Sequence, residues 1–204
     1  MDADLVTARL AHTRPPRDPS AAVAAETGAL SRLIAPLGKS LIPAGVLIPL
    51  FDREAELTVL LTERSAELKH HAGQIAFPGG RMEVDDGSIA ETALREAHEE
   101  VGIAPASVQL AGYLASMPTV SGYAVTPVVG FVDTSVELVL DPGEVSDAFE
   151  VPLEFVMDER NQRTGTRHYG GREFPVVEFQ YDRHRIWGAT AYMLVELKKL
   201  LENN

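Results

Sequence analysis

Residues 80–103 read GRMEVDDGSIAETALREAHEEVGI, and this stretch decides the fold. It opens on a glycine and an acidic loop. Ser88 followed by Glu91 is a capping-box pattern, which starts a helix by satisfying its first unpaired N–H groups. The helix is expected over about residues 89–101, with Gly102 as its terminating residue and Pro105 beyond it. With Glu96 set at zero on a helical wheel, Glu100 falls at about +40° and Glu99 at about −60°. Ala90, Ala93, Leu94, Ala97 and Val101 fall between about 60° and 160° and make the buried stripe. The helix therefore packs on one side and presents three carboxylates on the adjacent side. Arg95 sits one turn before Glu99, in reach of an i, i+4 contact.

Glu96, Glu99 and Glu100 repel one another unless a positive charge lies among them. Mg²⁺ or Mn²⁺ would supply it, because hard divalent cations take carboxylate and carbonyl oxygens. A solvated acidic helix face has the same composition, so the helix alone does not decide between the two. What precedes it adds weight. Phe77-Pro78-Gly79-Gly80 ends an apolar segment with two glycines, which let a backbone approach a ligand and turn a carbonyl toward a metal.

Outward from this centre, residues 46–51 (VLIPLF) and 57–63 (LTVLLTE) read as strands of a hairpin around a polar turn, and residues 74–77 as a short third strand. Further strands are expected at 108–116, 125–132, 149–152 and 173–181. An amphipathic helix over 186–201 ends the chain. In the N-terminal part, 2–12 and 21–34 read as helices separated by Pro15, Pro16 and Pro19. Strands and helices mix without a βαβα rhythm, so the fold class is α/β or α+β with a mixed sheet. Residues 1–36 form a helical extension and 37–204 the main domain.

The chain has 204 residues, 45% hydrophobic and 24% charged, enough for one sizeable core. It has no cysteine, which excludes disulfides and thiolate metal sites. No apolar run reaches transmembrane length, and the N-terminus lacks the pattern of a signal peptide, so a cytoplasmic protein without membrane contact is expected. The net charge of −12 and the lack of a basic cluster argue against nucleic acid as a partner.

The run Arg95-Glu96-Ala97-His98-Glu99-Glu100-Val101-Gly102-Ile103, with Gly80 upstream, resembles the Nudix box. Gly80 lies one residue farther from Arg95 than the general spacing, and the spacer acid, usually Glu, is represented by Asp85 or Asp86 or is absent. The longer spacer is similar to that of the coenzyme A diphosphatase branch. So is LLTERSAELKHHAGQIAFPGG at residues 60–80, through Leu60, Leu61, Thr62, Arg64, Ser65, Leu68, His71, Gly73, Phe77, Pro78, Gly79 and Gly80. Looser matches lie at 119–129, Glu144-Val145, 151–153 and 186–191, so the resemblance covers about residues 45–195.

The resemblance implies a Nudix fold, a mixed β-sheet sandwiched between helices, and hydrolysis of a nucleoside diphosphate linked to another group. It implies Glu96 and Glu100 as metal ligands, Glu99 as ligand or base, and the Gly80 carbonyl as a further donor. Arg95 would orient Glu99. The cofactor would be Mg²⁺ or Mn²⁺. The substrate would be coenzyme A or an acyl or oxidised derivative, held by Arg64, Ser65, His71 and Gly79, with Lys69 and His70 as further candidates for its 3′-phosphate. Glu144 is the candidate for an additional acid, although an exposed turn acid after Pro142-Gly143 would look the same. His98 is given no role, and Trp187 is read as core packing before adenine stacking. A homodimer is the oligomer considered. Two other readings stay open: a hydrolase of another nucleoside diphosphate derivative such as a nucleotide sugar, ADP-ribose or a damaged nucleoside triphosphate, and a non-catalytic Nudix-fold binding domain.

Overall fold

Strand β1 (Ile42–Asp52) is an almost unbroken apolar run, as expected of a central strand covered on both faces. The computed structural model describes residues 2–25, 41–54, 56–169 and 172–202. β1 pairs in parallel with β7 (Tyr123–Val132) over ten residues on one side. On its other side it pairs antiparallel with β4 (Gly79–Arg81) near its start and with β2 (Leu57–Arg64) at its end. β2 in turn carries β3 (Ile75–Ala76) and β8 (Val145–Pro152), while β7 carries β5 (Val108–Tyr113) and β6 (Met117–Pro118). The result is a mixed eight-stranded sheet. A second, antiparallel sheet joins β9 (Gln162–Tyr169), β10 (Arg172–Tyr181) and β11 (His184–Trp187).

The two faces of the main sheet bury different partners. Leu47, Phe51, Leu60, Val128 and Val132 face helix α3 (Ile89–Val101) and pack on its Ala90, Ala93, Ala97 and Val101. The closest approach is at Gly45, where a Cβ would lie 2.5 Å from the Ile89 carbonyl oxygen and 3.1 Å from the Ala93 nitrogen. Ile48, Leu50, Val59, Leu61 and Val129 face the other way. They meet α1 (Ala3–Leu10), the short α4 (Leu153–Met157), Phe179 and Ile186 of the second sheet, and the C-terminal α5 (Ala189–Glu202). Val6 and Leu10 of α1 are fully buried in that core. A second helix, α2 (Pro19–Ala25), precedes β1, and the rest of the helix expected over 21–34 lies outside the described residues.

The 46–51/57–63 hairpin forms as expected. Three readings need correction. Residues 186–187 belong to β11, not to the last helix: Gly188 turns at φ 67° and the helix starts at Ala189. Ile186 faces the core between exposed Arg185 and half-buried Trp187, a two-residue alternation that a helical reading absorbs. β9 (QRTGTRHY) was not expected, because its polar sequence has no apolar alternation; its ladder with β10 makes it a strand. β8 begins at Val145, four residues before the apolar run at 149, because β2 supplies a template along its whole length.

Candidate active site

Helix α3 spans the residues its caps predict. Ser88 Oγ accepts the Glu91 N–H at 3.2 Å, and the Glu91 carboxylate accepts the Gly87 N–H at 3.0 Å. At the other end Gly102 takes φ 76°, and its N–H reaches the His98 carbonyl at 3.0 Å. This left-handed position is one that glycine occupies without steric cost. The loop after the domain's middle also docks here: the N–H groups of Val139 and Asp141 donate to the carbonyls of Val101 and Glu100. Those are last-turn carbonyls that would otherwise lack partners.

The three acids of the helix do not share one environment. Glu100, at the edge of the apolar stripe, is only 2% exposed, contrary to an exposed acidic face. It accepts the Gly79 N–H at 3.3 Å, and Arg64 Nη1 stands 3.6 Å from its Oε1. Burial pushes its carboxyl up to about 8; Arg64 opposes this, and the charges of Glu144 and Glu96 add to it. Glu96 is mostly buried and is raised by burial too, with Arg95 opposing. Glu99 is open to solvent.

Arg95 organises the group. Its Nη1 donates to Glu96 at 2.9 Å and to Glu99 at 3.1 Å. Its Nε and Nη2 grip Asp86 from two sides at 3.0 Å each, and Nη2 also reaches the Arg81 carbonyl. The expected Arg95–Glu99 contact is therefore one of several. Of the two spacer aspartates, Asp86 is the one that bonds to Arg95. It also accepts the Thr92 hydroxyl and the Glu83 N–H. Its bond to Arg95 holds its carboxyl down at about 2. The sequence alone does not choose between Asp85, Asp86 and no acid; the acid six residues after Gly80 reaches Arg95.

Gly80 pairs with Gly45 across the β1–β4 ladder and lies against Glu96, where a Cβ would stand 2.5 Å from the carboxylate. Gly79 is drawn in through its N–H on Glu100. Arg64 ends β2 on the α3 face and reaches the same carboxylate. Ser65 is buried; its N–H donates to the Glu144 carbonyl at 2.8 Å and its hydroxyl accepts the Glu67 N–H, so it fixes the loop. His71 is exposed, at φ 59°, with Nδ1 2.9 Å from Gln74 Oε1. Glu144 is exposed, and its charge acts on both Glu96 and Glu100. His98 faces solvent, while Trp187 is only half-buried, with the Arg185 guanidinium 5.8 Å from its ring centre.

The donor set fits a divalent cation. A buried carboxylate with one long ion pair is held against its neighbours, and the glycine beside Glu96 leaves the backbone flush against the acid. A mixed sheet whose Gly79–Arg81 strand leads toward a helix with Glu96, Glu99 and Glu100 on one side places three acids beside a glycine backbone. The chain belongs to the Nudix family: the NUDIX domain model matches residues 41–169. A protein of Photorhabdus laumondii named as an uncharacterized Nudix hydrolase, NudL, is 41% identical over 159 residues, 78% of this chain and 84% of its own length. The protein of that name from Yersinia enterocolitica is 42% identical over 154 residues, 76% and 78% of the two chains. Among solved structures, an Ap4A hydrolase of C. elegans is similar at TM-score 0.48 with 16% identity, over 57% of this chain and 84% of that one.

Proposed function

We propose that this chain hydrolyses the pyrophosphate bond of coenzyme A, or of its acyl or oxidised derivatives, to 3′,5′-ADP and 4′-phosphopantetheine or its acyl form. The observation that carries the substrate reading is the signature at residues 60–80, whose ends border the acids of α3: Arg64 faces Glu100, and Gly79 and Gly80 meet Glu100 and Glu96.

In this reading Glu96, Glu99 and Glu100 hold Mg²⁺ or Mn²⁺, with the Gly80 carbonyl as a further donor. A cation held there would neutralise the pyrophosphate and lower the pKa of the water bound to it. Water adds to one phosphorus, the bridging P–O bond breaks, and the departing phosphate carries the bridging oxygen. Glu99, the most exposed of these three acids, is ligand or proton acceptor, and Glu144, whose charge acts on Glu96 and Glu100, is the additional acid. Arg95 keeps Glu96 and Glu99 oriented because Asp86 fixes its other edge. Arg64 is the cation for the substrate anion, with Gly79, Ser65 and His71 shaping the loop. Residues 1–36 form an extension to a Nudix domain at 37–204. No helix of the described residues is long and apolar enough to cross a membrane.

The test is chromatographic product analysis with coenzyme A, acetyl-coenzyme A, ADP-ribose and a nucleoside triphosphate, each with Mg²⁺ or Mn²⁺. The expected result is 3′,5′-ADP from the coenzyme A compounds at the highest kcat/KM. Metal-dependent turnover of ADP-ribose or the triphosphate, with coenzyme A untouched, would discard the substrate reading and keep the hydrolase. Retained turnover in a Glu99→Gln and Glu96→Gln pair would discard the metal assignment.

A further inference from the structure

The face of the main sheet turned away from α3 carries a second convergence of ligand-type side chains. Glu63 and Asp147 are direct partners in the β2–β8 ladder. Val59 and Leu61 pack in the core of that face, whereas Leu60 packs under α3. Strand alternation therefore sends Glu63 to the remote face and Arg64 to the active site. Two like charges directly opposite each other on a ladder destabilise it. His184, at the start of β11, completes the group: its Nε2 is 3.8 Å from Glu63 Oε2 and 3.6 Å from Asp147 Oδ2. One ligand atom from each of the three residues lies within 4.8 Å of the others. At α3, by contrast, Arg95 Nη1 donates to both Glu96 and Glu99.

His184 supplies the independent observation. Its side chain is 10% exposed, and its ring stacks on Phe149 at 3.6 Å and 7°. Nδ1 is buried with no hydrogen-bond partner. Nε2 stands too far from either carboxylate for a hydrogen bond. It accepts instead from Arg183 Nε at 3.1 Å, which leaves the proton on Nδ1 and the lone pair on Nε2. That tautomer is the one in which Nε2 ligates a metal. The cation at this group is the Arg183 guanidinium, 2.6 Å from Asp147 and 3.9 Å from Glu63, on a side chain 70% exposed. Three acceptors thus share one solvent-facing guanidinium.

We propose that Glu63, Asp147 and His184 form a second divalent-cation site, separate from α3, that takes a first-row transition ion. Two carboxylates and one imidazole suit Mn²⁺, Co²⁺ or Zn²⁺ better than Mg²⁺ or Ca²⁺. Arg183 is the group the ion displaces. Bound there, the ion ties β2 and β8 of the main sheet to β11 of the second sheet. The site stands whatever the substrate of α3.

The experiment titrates Co²⁺ into the full chain carrying Glu96→Gln and Glu100→Gln, which silence the helix site. Binding is read by calorimetry and by paramagnetic shifts of the histidine ring protons. One ion per chain is expected, with the His184 resonances shifted. Glu63→Gln or Asp147→Asn in that background should weaken binding by about tenfold or more, since even residues behind the ligands cost that much. Arg183→Ala should strengthen binding by removing the competitor, and it remains informative if a carboxylate variant folds poorly. Absence of Co²⁺ binding in the silenced chain, shifts confined to other histidines, or weaker binding in Arg183→Ala would each overturn the site in favour of a plain ion-pair network.

Discussion

Replacing Glu100 by Gln should stabilise the metal-free protein while removing the metal response of the α3 site. In the unfolded chain the carboxyl ionises near 4.5; in the fold, burial raises it to about 8. A raised carboxyl favours folding fully below the unfolded value, and that contribution is lost as pH climbs toward 8. In this window each pH unit costs the folded state about 1.4 kcal/mol. The ceiling at pH 9 is about 5 kcal/mol, and reorientation of Arg64 and water entry reduce it to about 2–3 kcal/mol. Gln is nearly isosteric and stays neutral, so it avoids this loss. For a chain of this length about 2–3 kcal/mol corresponds to a Tm rise of about 4–12 °C. The assay is thermal unfolding of both proteins in a chelator from pH 5 to 9. Near-coincident melting at pH 5 and a widening advantage for Glu100→Gln up to pH 9 are expected. Adding Mn²⁺ should then raise Tm more for the wild type than for the variant, which keeps only the Glu63–Asp147–His184 group. A variant that melts lower than wild type at pH 9, or a difference independent of pH, would refute the reasoning.

Metal binding should carry the same signature: Mn²⁺ affinity, followed by calorimetry, should rise from pH 6 to about 8 and level off, because Glu100 must lose its proton to ligate; a flat profile would argue against Glu100 as ligand. Asp86→Ala leaves Arg95 without its bidentate partner and should cost about 3 kcal/mol in denaturant unfolding, with kcat falling more than KM changes. Gly45→Ala places a methyl 2.5 Å from the Ile89 carbonyl and should lower stability by about 1–3 kcal/mol by lifting α3 from β1. Ser88→Ala removes one cap and should cost only about 1 kcal/mol, with activity intact at low temperature.

The helix of the site was legible because its signals are local: Ser88, Glu91 and Gly102 fix its ends, and the apolar stripe fixes its packing. Glu100 shows where that reading stops. On the wheel it lies only about 20° from the stripe, and whether it is buried depends on Gly79, Arg64 and the 139–145 loop, which come from distant parts of the chain. Asp86 was reachable only to within one residue, because the register of the acidic loop is set by its own Glu83 and Thr92 bonds. β9 and the start of β8 are strands by pairing and not by composition. His184 lies between the strand expected at 173–181 and the helix expected from 186, where the sequence suggests no element. Its neighbours Glu63 and Asp147 lie 121 and 37 residues away in sequence, so no local pattern joins them.

The central claim, that the acids of α3 hold the cation that drives hydrolysis, is tested most directly by 3′,5′-ADP release from coenzyme A. Wild type, Glu99→Gln and Glu96→Gln are compared with Mn²⁺, with the fold of each checked by its melting curve. Both variants should fold and lose about a hundredfold or more in kcat. A folded Glu96→Gln protein that still releases 3′,5′-ADP at the wild-type rate would place the chemistry elsewhere in the molecule.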